Sequence, residues 1–320
     1  MHVEMIKTTD GVVGQPSKIV LSGASGMLGT ALRRRLGALQ VPFVQLVRGA
    51  PGKDGQVSWN PATTTTIAEP SVLEGCSAAI HLSGASVAAH RWTAAYKREL
   101  TASRVDSTHA LAMILAGLRR PPQTLVVASA VGIYGDRGDA VLDEVSAPGV
   151  GFLAEVCQQW EAAARPAAEA GIRVVHARFG VVLGRGLGPR EQGALEKMLP
   201  VFRLGLGGRL GSGRQWMSWV SLEDAVAAIL FALETESLLG PVNVVSPNPV
   251  TNAEFTRALA RQVHRPAVLP VPAFALRLAL GQMADEALLA SARVSPAKLL
   301  SAGFEFAHSM VDQALAAAID

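Results

Sequence analysis

The sequence is poor in the residues that build metal sites, disulfide frameworks and membrane spans. Its two cysteines, Cys76 and Cys157, stand far apart and form no CxxC pair, which suggests a reducing compartment and two buried thiols. The seven histidines include no HExxH pair. A catalytic zinc needs about three protein ligands, so no metal site is expected. No apolar run approaches the roughly 20 residues that a membrane helix requires. The best candidate, Ala273 to Leu280, is interrupted by Arg277 and reads as a helix packed in a cap. Met1 to Ser17 carries Glu4 and Asp10 in a polar stretch with no signal-peptide core, so a cytoplasmic protein with no membrane partner is expected. Lys and Arg form no runs with interleaved aromatics, so a net charge of +3 gives little support to nucleic-acid binding and suits an anionic cofactor equally well.

The chain has ample material for a core: 49% of its 320 residues are hydrophobic and 17% charged, which excludes general disorder. Short apolar runs alternate with longer helical patterns. Lys18 to Ser22, Phe43 to Val47, Ala78 to Leu82, Leu125 to Ser129 and Arg173 to Ala177 read as buried strands. Thr30 to Leu39, Thr93 to Leu118 and Phe152 to Ala170 read as the helices between them. This order predicts an α/β fold, a Rossmann-type doubly wound parallel sheet. After Gly184 glycine- and proline-rich segments interrupt short helices, and Asn243 to Val245 returns one strand to the sheet. The expected organisation is an N-terminal extension (1–17), a nucleotide-binding domain (18–183 and 216–246) and a smaller C-terminal substrate cap (184–215 and 247–320). Thr63 to Thr66 reads as a loop.

The first strand runs into Gly23-Ala24-Ser25-Gly26-Met27-Leu28-Gly29 and then a helix. That context turns a weak glycine pattern into a dinucleotide fingerprint. Gly23 permits a tight turn, Gly26 lets the backbone approach a pyrophosphate, and Gly29 lets helix and strand pack closely. The helix start offers N–H groups and positive dipole to the phosphates, and Ser25 can add a hydroxyl. A P-loop is excluded because Gly29-Thr30-Ala31 lacks the lysine. An acidic residue ending the second strand would mark NAD, yet none occurs between Gly29 and Lys53. Arg48 stands there instead, where a guanidinium can grip the 2′-phosphate of NADP(H); the other reading is a solvated surface arginine.

With this loop, Leu82-Ser83-Gly84-Ala85, Ser129-Ala-Val-Gly-Ile-Tyr134-Gly135, Ser103-Arg104-Val105-Asp106, Trp160-Glu161, Arg178-Phe-Gly-Val-Val-Leu-Gly184 and Gly211-Ser-Gly-Arg-Gln-Trp216, the chain resembles an extended short-chain dehydrogenase/reductase. More narrowly it resembles the atypical branch of epimerase-family, sugar-nucleotide-epimerase-like proteins. His264-Arg-Pro266 and Gly303-Phe-Glu-Phe306 match the short C-terminal domain of that branch. The resemblance implies that Leu82 and Ser83 line the cofactor, that Glu99 and Arg104 reach it, and that Val181 sits near the nicotinamide end. Glu99 and Arg104 could equally be solvated helix charges.

Ordinary members of that superfamily use Tyr-x-x-x-Lys, in which the ammonium lowers the phenol's pKa. Here no tyrosine or lysine occurs from Gly151 to Gly171, and Arg104 takes about the place of the helix-support asparagine. Ser129 and Tyr134 are the remaining candidates for catalysis; each could instead satisfy local backbone. Arg214 and Trp216 are candidates to border a substrate cleft, or to form an interdomain seam. Two functions stay open: an NADP(H)-dependent oxidoreductase or epimerase on a small polar or sugar-like substrate, and a non-catalytic NADP(H) sensor or regulatory protein. A monomer or homodimer fits either.

Overall fold

Three apolar residues followed by one polar residue form each of the two strands at the centre of this protein. The computed structural model describes residues 18–62, 67, 69–185 and 193–319; the expected N-terminal extension and the Thr63–Thr66 loop lie outside them. In chain order come β1 (Ile19–Ser22), α1 (Met27–Ala38), β2 (Phe43–Val47), β3 (Gln56–Ser58), β4 (Ala78–His81), α2 (Ala94–Ala116), β5 (Thr124–Ala130), β6 (Val141–Leu142), α3 (Phe152–Ala162), α4 (Arg165–Glu169), β7 (Arg173–Phe179) and β8 (Val181–Leu183). The chain continues with α5 (Ala194–Arg203), β9 (Trp216–Met217), β10 (Trp219–Ser221), α6 (Leu222–Glu234), β11 (Gly240–Val244), β12 (Val250–Thr251), α7 (Asn252–Gln262), α8 (Ala273–Leu280), a π-turn (Ala284–Leu289), β13 (Arg293–Val294), α9 (Ala297–Ser301) and α10 (Val311–Ile319).

Seven strands form one sheet in the order β3-β2-β1-β4-β5-β7-β11, and every neighbouring pair is parallel. This is the Rossmann-type arrangement expected from the strand–helix alternation. The burial of the strands follows their rank: β1 and β4, at the centre, are buried at all four positions, whereas β2 alternates between buried and half-buried. α1 packs with α6, and α2 with α3 and α4, giving helical layers over the sheet. The order in which successive strands are added reverses between β1 and β4, because β2 and β3 lie to one side of that pair and the later strands to the other. Open α/β sheets bind ligands at such a switch point.

Three elements depart from expectation. α1 begins at Met27, three residues before Thr30, so the end of the glycine loop is already helical. The long helix expected from Phe152 to Ala170 is two: α3 ends at Ala162, and α4 starts at Arg165 with Pro166 in its first turn, where a missing N–H does no harm. The returning strand is β11, displaced toward Gly240 and paired with β7 at the sheet edge.

The centre of the sheet holds a buried histidine. His81, at the end of β4, meets Ser22 Oγ through Nδ1 at 2.6 Å and Ser107 Oγ through Nε2 at 3.1 Å, with Trp59 edge-on at 5.9 Å. It ties β1, β4 and α2 together. Burial pushes its pKa down from 6.5 to about 3. The unfolded chain therefore takes up a proton near pH 6.5 that the folded protein refuses. The stability held by neutral His81 is complete above that pH and is lost as pH falls from 6.5 toward 3. One proton corresponds to a slope of about 1.4 kcal/mol per pH unit. Denaturant midpoints measured from pH 7 to 4.5 should show this loss, with a shallower slope in His81→Asn. Equal slopes would assign the acid sensitivity to other groups.

Candidate dinucleotide site

The turn from β1 to α1 is pressed against the end of β4. Leu82 N–H donates to Ser22 O at 3.2 Å, and a Cβ on Gly23 would lie 2.5 Å from the Leu82 carbonyl carbon and 2.7 Å from Ser83 N. Gly23 also has φ +71°, so side-chain volume and backbone conformation both require glycine there. A Cβ on Gly29 would meet Gly23 O at 2.2 Å, which would push α1 off β1. Gly26 differs: the nearest described atom to its missing Cβ is Gly23 O at 3.4 Å. Its lack of a side chain serves the space outside the protein. It is also the N-cap of α1, so it offers no capping side chain, and the first turn carries no carboxylate. A helix start without an acidic or capping group of its own suits a bound phosphate. These features fit a dinucleotide, with the pyrophosphate against Gly26, Met27 and Leu28. Arg48 follows directly on β2 and is exposed.

The rim beyond Leu82 and Ser83 is held by Arg104. Its guanidinium donates to Ala85 O at 2.9 Å and Leu100 O at 3.1 Å, and rests over the Trp160 ring at 5.1 Å. Arg104 thus props the loop after β4 from below, and burial lowers its pKa. Glu99 lies exposed on the same helix. Val181 opens β8, donating its N–H to Ser218 O at 2.8 Å, and is half-buried.

Ser129 and Tyr134 occupy a buried chain of hydrogen bonds. Ser129 Oγ donates to Glu161 Oε1 at 2.7 Å. Glu161 of α3 takes Arg178 of β7 in a two-pronged pair, Nε to Oε1 at 2.7 Å and Nη2 to Oε2 at 2.8 Å. Arg178 Nη1 donates to the Tyr134 hydroxyl at 2.9 Å, and that hydroxyl donates to Asn243 Oδ1 at 2.7 Å. Asn243 N–H in turn meets Glu144 Oε1 at 3.0 Å. Burial opposes the charge on Arg178, but the bonds to Glu161 outweigh it and raise its pKa. Burial raises the pKa of Tyr134, the reverse of what a proton-transferring phenol needs. On α3, Leu153 packs on Gly132, where its Cβ would be 3.4 Å from a Cβ added there. The Cys157 thiol is pushed up to about 12 by burial. At Leu153 and Cys157 the α3 surface is thus apolar, and Glu161, two turns from Leu153, is its polar contact with β5.

Arg214 is exposed. Trp216 is half-buried in β9; its indole N–H donates to Asp139 Oδ1 at 2.9 Å, and the Arg293 guanidinium lies 4.4 Å over its ring. Sequence reasoning missed the pairing of Glu161 with Arg178, the contribution of Asn243, and Glu286, which accepts the N–H groups of Phe152 and Leu153 at 3.1 and 2.8 Å and so caps α3. Each links residues far apart in the chain, and no local pattern announces them.

A glycine turn at the switch point of a parallel sheet, opening onto an uncapped helix start, defines a Rossmann-type dinucleotide-binding protein. The chain belongs to the NAD dependent epimerase/dehydratase family, whose sequence model matches residues 19–264; a domain of unknown function, DUF1731, matches residues 271–318. The expected resemblance to the epimerase branch and its short C-terminal domain is thereby borne out. The chain is 44% identical over 297 residues to the epimerase family protein Mb2239 of Mycobacterium bovis, covering 93% of this chain and 96% of the relative. It is 36% identical to the bovine epimerase family protein SDR39U1, with 93% and 98% covered. The crystal structure of human epimerase family protein SDR39U1 (isoform 2) with NADPH is similar at TM-score 0.84 and 32% identity, covering 94% of this chain and 98% of that one.

Truncating one side of the buried pair should be severe. Arg178→Leu leaves Glu161 charged and unpaired and is expected to cost about 3 to 5 kcal/mol in denaturant unfolding. Ser129→Ala and Tyr134→Phe each remove one hydroxyl of the chain and should cost about 1 kcal/mol, with dinucleotide affinity unchanged. A Ser129→Ala protein of native stability that had lost a measurable turnover would instead place that hydroxyl on substrate.

Proposed function

We propose that this protein binds NADP(H) as an NADP(H)-responsive member of its family and lacks the proton relay of sugar 4-epimerases. The observation that carries the reading is the diversion of both candidate hydroxyls, Ser129 and Tyr134, into the buried Glu161–Arg178 chain, beside a cofactor loop that keeps every feature required for a dinucleotide. Ser25, Gly26, Met27 and Leu28 hold the pyrophosphate, Leu82 and Ser83 border the adenosine side, and Arg104 keeps that border in place. Val181 stands at the nicotinamide end. Residues 18–183 and 216–246 form the nucleotide-binding part, and residues 184–215 and 247–320 the cap. The NADPH in the human SDR39U1 structure supports the choice of dinucleotide.

A second reading is an oxidoreductase that reduces a small polar substrate beneath the cap. It is favoured by Trp216, which Asp139 and Arg293 hold in a fixed orientation, with Arg214 nearby in sequence. The bound cofactor would supply hydride, and this chain's residues would orient the acceptor.

UDP-galactose 4-epimerase activity should be absent or very weak, since a proton relay contributes a factor of about 10² to 10⁴. Interconversion of UDP-glucose and UDP-galactose by the purified protein, followed by chromatography, would overturn the proposal.

Cofactor choice rests on Arg48. A hydrogen bond to a charged group contributes roughly 1.5 to 3 kcal/mol, so the arginine should favour NADPH over NADH by about ten- to a hundredfold. Fluorescence titration should show Arg48→Ala losing NADPH affinity while NADH affinity scarcely changes, and rising salt should narrow the gap. Equal native affinities, or equal losses in the variant, would remove Arg48 from the phosphate.

A further inference from the structure

Two long stretches of the C-terminal half contain no acidic residue: Lys197 to Leu222 and Phe255 to Ala284. They lie side by side. Val271 N–H donates to Arg209 O at 2.9 Å, Gly211 N–H to Val271 O at 2.8 Å, and Arg265 Nε to Arg203 O at 3.3 Å. A Cβ on Gly208 would collide with Leu269 O, so the two backbones are in close contact.

Large apolar side chains project into solvent from this seam. Leu204 is 73% exposed, Val268 74%, Phe274 72% and Leu278 77%, with Leu206 and Leu269 about half exposed at 54% and 50%. Phe274 and Leu278 stand one helical turn apart on α8, so they share a face. Leu276 is the buried member of that helix and turns the other way. α8 thus buries Leu276 and offers Phe274 and Leu278 to the outside. Isolated exposed apolar residues are ordinary, but six of them on two stretches in backbone contact mark an interaction surface.

Apart from Asp285, which is paired with Arg277 of α8, the charges beside the row have one sign. Arg203, Arg209 and Arg265 are exposed. Among the described residues the ion pairs that involve these two stretches are Arg277 with Asp285 and Arg261 with Asp312, so none of those three guanidinium groups meets a carboxylate. A second copy of the chain would bring the same cations face to face. Apolar tips between guanidinium groups match instead a surface that has phosphate outside and acyl chain beneath. We infer that the seam of Leu204, Leu206, Val268, Leu269, Phe274 and Leu278 docks on an anionic lipid surface, with Arg203, Arg209 and Arg265 against the headgroup phosphates. No described helix is long and apolar enough to cross a membrane, and none is needed: this is adsorption at the interface.

Flotation of the full chain, with NADPH bound, on vesicles of equal parts phosphatidylglycerol and phosphatidylcholine tests the inference. Wild-type protein should rise with these vesicles, should stay behind with pure phosphatidylcholine, and should be released by high salt. The double variant Phe274→Ser, Leu278→Ser should lose about tenfold or more in partition, and Arg203→Gln with Arg265→Gln should flatten the dependence on the anionic lipid. Circular dichroism and the denaturant midpoint of each variant confirm folding independently of lipid and of the cofactor proposal. Failure of the wild type to float, equal flotation on neutral vesicles, or unchanged flotation of the Phe274 and Leu278 variant overturns the inference. So does light scattering that shows the same substitutions dissociating a dimer, since the face would then belong to a second copy or another protein.

Discussion

The close approach of β1 and β4 governs everything around the dinucleotide site. Gly23 lies where a single methyl group would strike the Leu82 carbonyl, and Gly29 lies where one would strike Gly23 itself. Such contacts are tolerable only without side chains, and they bring the loops after β1 and β4 together at the point where strand order reverses. The helix start, the Leu82–Ser83 edge and the arginine after β2 inherit their positions from that approach. His81 and Ser22 fasten it from below with a buried hydrogen bond, and Arg104 fastens it from the α2 side.

Where a reductase of this superfamily carries a tyrosine and a lysine on α3, this chain carries Leu153 and Cys157 on the face toward β5, and the polar resources have moved one layer deeper. Glu161, Arg178, Tyr134 and Asn243 satisfy one another across α3, β7, β11 and the turn after β5. A fully paired network of this kind fixes the relative placement of its elements. It also holds its hydroxyls in geometries that leave little for a substrate. The residues that look catalytic by their place in the chain are bonded to buried partners instead. The C-terminal elements add a further tie, because Glu286 caps α3 from across the site.

Much of the fold was legible in the sequence because it depends on local rules. Apolar runs with helical stretches between them dictate parallel strands, and a strand entering Gly23-x-x-Gly26-x-x-Gly29 before a helix dictates a phosphate-binding turn. The place of Arg48 directly after a strand, with no acid nearby, was legible too. Helix boundaries were read less well: Pro166 cannot continue α3 and marks the break near Ala163, and the early start of α1 depends on the tight turn at Gly23.

What the tertiary structure alone decided was the use of each polar side chain. Ser129 and Glu161 are 32 residues apart, Tyr134 and Asn243 109 apart, and nothing in either neighbourhood specifies the other. Hydrogen-bond partners in a core are selected by which faces of distant elements meet, and by the penalty for leaving any one of them unpaired once water is excluded. The sequence by itself determined the sheet, the glycine turn and the membership of an NAD(P)-binding family, since these follow from periodicity and from the conformations glycine permits. Whether a serine or a tyrosine near the cofactor faces a ligand or a buried carboxylate depends on packing between elements, and only the folded chain supplies that.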